Sequence, residues 1–234
     1  MSDFLGAFKA AFSLVVSLDP GLVEIVTLSL VVSFSALVLA ALVGLPLGAF
    51  VGVVPFPGRR IAAIVLNALM GLPPVVAGLV VYLLLSRSGP LGTLGWLFTP
   101  KAMIVAQFVL ITPIVAALSR QVIEDLWEEY SEQLRSLDVG VLRVIPTLLW
   151  DGRHRLLTTL LAGFGRAIAE VGAVIIVGGN IAHLTRVMTT AIALETSKGD
   201  LPLALGLGIV LLLLSLVVNA AAAVTKDLAE RLEG

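Results

Sequence analysis

Residues 25–58 contain no Asp, Glu, Lys or Arg, and the stretches 61–86, 102–119 and 201–225 are equally free of them. A fifth apolar stretch, 156–181, is interrupted only by Arg166 and Glu170. A helix rises 1.5 Å per residue, so about 20 apolar residues carry it across a hydrocarbon core of ~30 Å, where it must satisfy its own backbone hydrogen bonds. Five such runs predict an all-α membrane protein with five transmembrane helices. Composition agrees: with 59% hydrophobic and 13% charged residues and a mean hydropathy of +1.08, the chain holds more apolar surface than a soluble core of 234 residues buries. The first run is longer than a crossing requires. Its Gly44, Pro46 and Gly48 predict a tilt or kink before an exit near 55–58.

The chain reads as one domain, 1–234, with an N-terminal segment 1–20, a five-span core 21–226 and a charged segment 124–150 within it. Phe4, Phe8 and Phe12 recur every four residues with Lys9 and Ser13 on other faces, which predicts an interfacial helix. The start, Met1-Ser2-Asp3, has no basic flank and no small-residue cleavage pattern follows, so no cleaved signal peptide is expected. The absence of cysteine excludes disulfides and thiolate chemistry. Charges grouped between apolar runs, with a net of −1, give no basic face for nucleic acid.

Lys and Arg fix the expected orientation, because short cytoplasmic loops are enriched in them. Nine of them (59, 60, 120, 135, 143, 153, 155, 226 and 231) fall on one side and five (9, 87, 101, 186 and 198) on the other. The N-terminus is therefore expected outside, the C-terminus and the segment 120–155 in the cytoplasm, and 183–200 outside. His154 and His183 then lie on opposite sides, and no shared metal site is expected.

Some 35 residues separate the third and fourth spans, far more than a helix-to-helix connection needs. Within them, 125–137 begins with acids, carries Arg135 near its end and places Leu126, Tyr130, Leu134 and Leu137 on one stripe, which predicts a short amphipathic helix. That stripe can cover the protein's own spans or lipid, or meet a partner.

The stretch Glu132-Gln133-Leu134-Arg135-Ser136-Leu137-Asp138 resembles the cytoplasmic loop of ABC importer permeases, typically Glu-Ala-Ala-Arg-Thr-Leu-Gly, whose short coupling helix sits in a cleft of the nucleotide-binding subunit. Asp138 stands where glycine is usual, and Gly140 follows two residues later, where it can supply the turn after the helix. Further on, Gly163-Phe164-Gly165-Arg166-Ala167-Ile168-Ala169-Glu170-Val171-Gly172-Ala173 is similar to the fourth core span of molybdate, sulfate and tungstate permeases. Val177-Gly178-Gly179-Asn180-Ile181 and the stretch 189–200 resemble the tungstate members specifically. The resemblance runs from about Gly44 onward. It implies the five-helix core of type I (MetI-like) importers, a cell-membrane location, a second copy of the chain, a partner ABC ATPase that holds the ATP and Mg, and an extracytoplasmic oxyanion-binding protein, with membrane lipid around the spans. No cofactor is expected in this chain.

An oxyanion crossing a low-dielectric layer needs donors and positive potential, since an unpaired charge there is costly. Gly71-Leu72-Pro73-Pro74 lies midway along the second run, where proline breaks a helix and starts a new one; Gly78 follows. A restarted helix turns a positive end toward the anion, although an ordinary proline kink fits equally. Arg166 and Glu170, four apart, make either a structural ion pair or part of a gate. Thr112 and Pro113, beside Gln107, face a pathway or glue helices together. Gly172, Gly178 and Gly179 allow close backbone approach, and Asn180, Thr189 and Thr190 line an outer vestibule or cap loops.

No Gly-x-x-x-x-Gly-Lys-Ser/Thr loop occurs, so ATP hydrolysis belongs to a partner. Five spans do not divide into the inverted halves of secondary transporters, and Glu170 is the one acid inside any span, too little for an intramembrane enzyme. The sequence therefore reads as the non-enzymatic permease subunit of an oxyanion importer, with tungstate the expected cargo and molybdate or sulfate the alternatives.

Overall fold

The computed structural model describes residues 2–136 and 140–233, with side chains outside 2–5, 135 and 226–233. Ten α-helices follow one another among these residues: α1 (Ser2–Val16), α2 (Pro20–Val53), α3 (Arg59–Met70), α4 (Pro74–Leu85), α5 (Pro100–Ser136), α6 (Val141–Asp151), α7 (Arg153–Ile168), α8 (Gly172–Gly178), α9 (Met188–Lys198) and α10 (Leu201–Glu233). Three of them, α2, α5 and α10, are each long and apolar enough to cross a membrane; counting α3 with α4 and α7 with α8 as broken spans gives five.

The break between α3 and α4 follows from the chain. Pro73 and Pro74 offer no N–H, the residue before a proline avoids the helical region, and Pro74 sits in the first turn of α4, where its missing donor does no harm. In contrast, α2 continues without a break through Pro46 and α5 through Pro113. Helix α2 continues through 44–48, and Gly44 and Gly48 lie against α5. The expected short helix over 125–137 is likewise not a separate element: residues up to Ser136 continue α5, since no proline, glycine or cap interrupts 119–136. The separate amphipathic helix of this segment is α6. Gly140 has φ −60° and ψ 137° and caps the start of α6, so its backbone is extended rather than left-handed.

The contacts fall into two compact units. The first comprises Met1–Ala36, Pro73–Gln107 and Arg166–Val217. In it α4 packs on α8 at Gly78, where a Cβ would lie 2.7 Å from the Cα of Ala173. Helix α1 presents Ala11 to Gly206 of α10 and leaves Phe8 and Phe12 exposed. Gly179 ends α8 with φ +73°, a conformation glycine adopts without the strain of a side chain, and lies against the Phe98 ring.

The second unit comprises Leu37–Leu72, Phe108–Gly165 and Val218–Gly234. Here Gly44, Gly48 and Gly52 line one face of α2 against α5. A Cβ on Gly48 would fall 2.4 Å from the Ala116 carbonyl oxygen, so the two backbones touch. Ser119 Oγ donates to the Gly44 carbonyl at 3.3 Å. Arg59, at the start of α3, donates from Nε to Val51 O at 2.8 Å and also to Gly52 O, placing a cation on the terminal carbonyls of α2. Its guanidinium pairs with Glu124 at 3.0 Å, and Glu124 also pairs with Arg120. Beyond them Ala49, Val53, Ile123, Leu126, Val144, Leu148 and Leu156 form a buried core, with Trp127, Tyr130 and Leu134 packed against it.

Candidate functional site

In the first unit the polar residues converge on the break between α7 and α8. Glu170 stands in that break, 4% exposed, and its carboxylate does two jobs. Oε2 receives the guanidinium of Arg166 from the last turn of α7. Oε1 receives the Ala173 N–H from the first turn of α8 at 3.2 Å. A continuing helix would satisfy that N–H with a carbonyl; here an acid does, at the helix end where negative charge is favoured. The Glu170 carbonyl in turn accepts Thr189 Oγ1 from α9 at 2.8 Å, and Gln107 Nε2 donates to the Ala167 carbonyl at 3.1 Å. Two carbonyls at the break, those of Ala167 and Glu170, have thus gained side-chain donors.

Helix α9 is held at its start. The Met188 N–H donates to Ser29 Oγ at 2.8 Å, and Ser29 donates onward to Ile25 O in its own helix at 2.7 Å. Thr190 Oγ1 accepts the Val187 N–H at 3.2 Å, and the Thr190 carbonyl accepts Asn180 Nδ2 at 3.2 Å. Thr185 Oγ1 donates to Gly178 O at 2.6 Å and accepts the Ile181 N–H at 2.9 Å. Thr189 and Thr190 are buried, and Thr190 Oγ1 caps the start of α9. Ser29, Ser33, Gln107, Glu170 and Thr189 surround a cavity of about 10 Å³, which accommodates a single water molecule. Gln107 Oε1 has no hydrogen-bond partner among the described residues.

Electrostatically the site is closed. Arg166 is 38% exposed, but its charge is committed to Glu170, so an anion reaching it meets a carboxylate as well. A second buried acid, Glu195 of α9, pairs with Lys198 at 3.0 Å and Arg186 at 3.5 Å. His183 Nδ1 lies 2.9 Å from Glu24 Oε2.

The expected site residues are thus partly gathered and partly dispersed. Within the first unit, Arg166, Glu170, Gly178, Gly179 and Asn180 lie along α7, α8 and the turn after it, with Gly78 against α8. Pro73 and Pro74 open α4; Gly71 closes α3, its N–H bonded to Ala68 O. In the second unit Thr112 bonds its own helix, to Phe108 O at 2.7 Å, and Pro113 is buried beside it. Ser29, Thr185 and Glu195 escaped sequence reasoning. For Ser29 a signal existed: positions 25, 29, 33, 36 and 40 are all buried, a helical stripe in which two serines stand where apolar residues belong.

The residues expected to couple to an ATPase lie in the second unit. Glu132 and Ser136 are exposed near the end of α5, and Ser136 Oγ donates to Gln133 O. Leu134 is half-buried against the apolar core, so the stripe of Leu126, Tyr130 and Leu134 is covered by α6 and the protein's own core. Leu137 and Asp138, and the side chain of Arg135, lie outside the described residues. The outward face in this segment belongs to α6, where Leu142, Arg143, Pro146, Thr147 and Trp150 are exposed while Val144 and Leu148 are buried.

Residues 44–228 match the family described as binding-protein-dependent transport system inner membrane component. The chain belongs to that family. It is a multi-pass membrane component, in keeping with its apolar helices. Over 213 residues the permease is 44% identical to the tungstate uptake system permease protein TupB of Peptoclostridium acidaminophilum, spanning 91% of this chain and 93% of the relative. It is 42% identical to a probable anion ABC transporter permease protein of Haloferax volcanii over 88% and 91% of the two chains. Against TupB of Campylobacter jejuni it is 37% identical over 91% and 89%. The family therefore agrees with the resemblance found in 163–181 and 189–200.

Proposed function

We propose that this permease is the membrane-spanning subunit of an importer that carries tungstate into the cytoplasm, working with a second copy of itself, a separate ABC ATPase and an extracytoplasmic oxyanion-binding protein. The likeness along nine-tenths of the chain to a tungstate uptake permease is the observation that carries this reading. The cargo is tested by uptake of labelled tungstate in cells bearing the complete system. Excess molybdate and sulfate should compete weakly; equal competition by all three overturns the tungstate assignment.

In this reading five spans place the N-terminus outside and the C-terminus inside, and the broken span α3–α4 together with the Arg166–Glu170 bracket belongs to the pathway or its gate. The absence of a free cation at Glu170 favours a gate over a resting anion site, because the pair must part before Arg166 can meet an anion. The docking element is the exposed face of α6, Leu142, Arg143 and Pro146, with the end of α5 beside it. The stripe on α5 supports this choice, being already covered from within. Arg143→Glu should therefore insert and fold normally while tungstate uptake falls at least about tenfold and ATPase stimulation is lost. Leu134→Asp should instead lower the yield of folded protein, as a charge placed against a core does. Wild-type transport by Arg143→Glu would place the contact elsewhere.

A further inference from the structure

In the second unit an open groove of about 430 Å³ is walled by leucines, among them Leu45 of α2, Leu149 of α6 and Leu157 and Leu160 of α7. Its two polar lining residues, Arg153 and His154, sit in the first turn of α7. No carboxylate lines it. Nearly all of its wall is hydrocarbon, and Leu157 is 43% exposed. In water such a groove would be unfavourable; in a membrane component its natural occupant is an acyl chain.

The depth of the groove is marked by Trp150, which lies in the last turn of α6 and is 72% exposed. An exposed indole of this kind sits at the level of lipid headgroups. Arg153 lies over its ring, 5.1 Å from the centroid, and donates from Nη1 to the Trp150 carbonyl at 2.9 Å. These two contacts hold the guanidinium beside the ring while leaving further N–H donors for an anion, and a guanidinium fork suits a phosphate. The groove thus presents an apolar trough with two basic side chains at the end of the helix bearing the interfacial aromatic. Basic pockets between membrane helices take acidic headgroups in this way.

We infer that the groove binds one anionic phospholipid, an acyl chain against Leu45, Leu149, Leu157 and Leu160 and the phosphate on Arg153 and His154. The inference is independent of the transported ion. It is tested on the full chain in detergent by native mass spectrometry, titrating phosphatidylglycerol against phosphatidylcholine with identical acyl chains. Wild type should retain phosphatidylglycerol at least about fivefold better. The double variant Arg153→Gln, His154→Gln should bring that ratio near one, whereas Arg153→Lys, which keeps the charge, should hold it within about twofold of wild type. Leu157→Trp, which fills the trough, should reduce retention of both lipids. A wild-type ratio near one, an unchanged ratio in the double variant, or undiminished retention in Leu157→Trp would each overturn the inference. So would a wild-type dimer whose bound lipid is insensitive to Leu157→Trp, because a second copy would then cover the groove.

Discussion

The two units close helices on one another by different means. In the second, continuous helices approach through glycine, with Gly44, Gly48 and Gly52 letting α2 touch the backbone of α5, and Arg59 and Glu124 tying the ends. In the first, the break between α7 and α8 is bridged by side chains that replace backbone bonds. Glycine packing needs no polar group and tolerates no added atom. A bracketed break needs polar groups placed to within hydrogen-bond distance, but can open when its ion pair parts. The difference is one of means: the second unit closes on backbone contact, the first on an ion pair and side-chain hydrogen bonds.

The sharpest way to break this comparison is Gly48→Val. The new Cβ would meet Ala116 O and Ser119 Oγ, so we expect destabilisation near the top of the ~1–3 kcal/mol range for overpacking and little folded protein, read by thermal unfolding in detergent. Unchanged stability would mean that α2 and α5 do not touch there. Glu170→Ala should come next, at about 2 kcal/mol, since it removes both a helix cap and the partner of Arg166. Glu170→Gln, which can still accept the Ala173 N–H, should lose roughly half of that, and equal losses in the two variants would show that capping contributes nothing. Ser29→Ala should cost about 1 kcal/mol by orphaning the Met188 N–H, with faster hydrogen exchange at α9 as its signature. Arg59→Gln is the mildest, about 0.3–1 kcal/mol, because the site is partly exposed and salt screens it. Its effect should shrink in high salt, whereas that of Gly48→Val should not.

Charge-free length was enough to locate the helical segments, because nothing but a helix satisfies its own backbone over such a run. The double proline at 73–74 was equally readable, since the missing donors act locally. Pro46 and Pro113 carry the same local signal yet sit inside intact helices, where tertiary contacts outweigh a single lost bond. The stripe Leu126, Tyr130 and Leu134 announced an amphipathic face but not what covers it; only the position of α6 decides that. The break at Glu170 was hidden for a related reason. An acid four residues after an arginine reads as a pair on one helix face, and nothing in that spacing says that it also captures an N–H from the first turn of the next helix. Which groups Ser29, Thr189 and Thr190 would bond was hidden, because a hydroxyl in a sequence names no partner.

One practical consequence attaches to α9. From its hydrophilic residues the stretch 188–198 looks like an accessible connection, the kind into which a reporter or epitope is placed to decide which side of a membrane a loop occupies. Met188, Thr189, Thr190, Ala191 and Glu195 are buried, and the helix is pinned to Ser29 and to the Glu170 carbonyl. A tag inserted there would disrupt the fold it was meant to report on. Gly199 and Asp200, both exposed and just past the end of α9, are where topology mapping of this segment should begin.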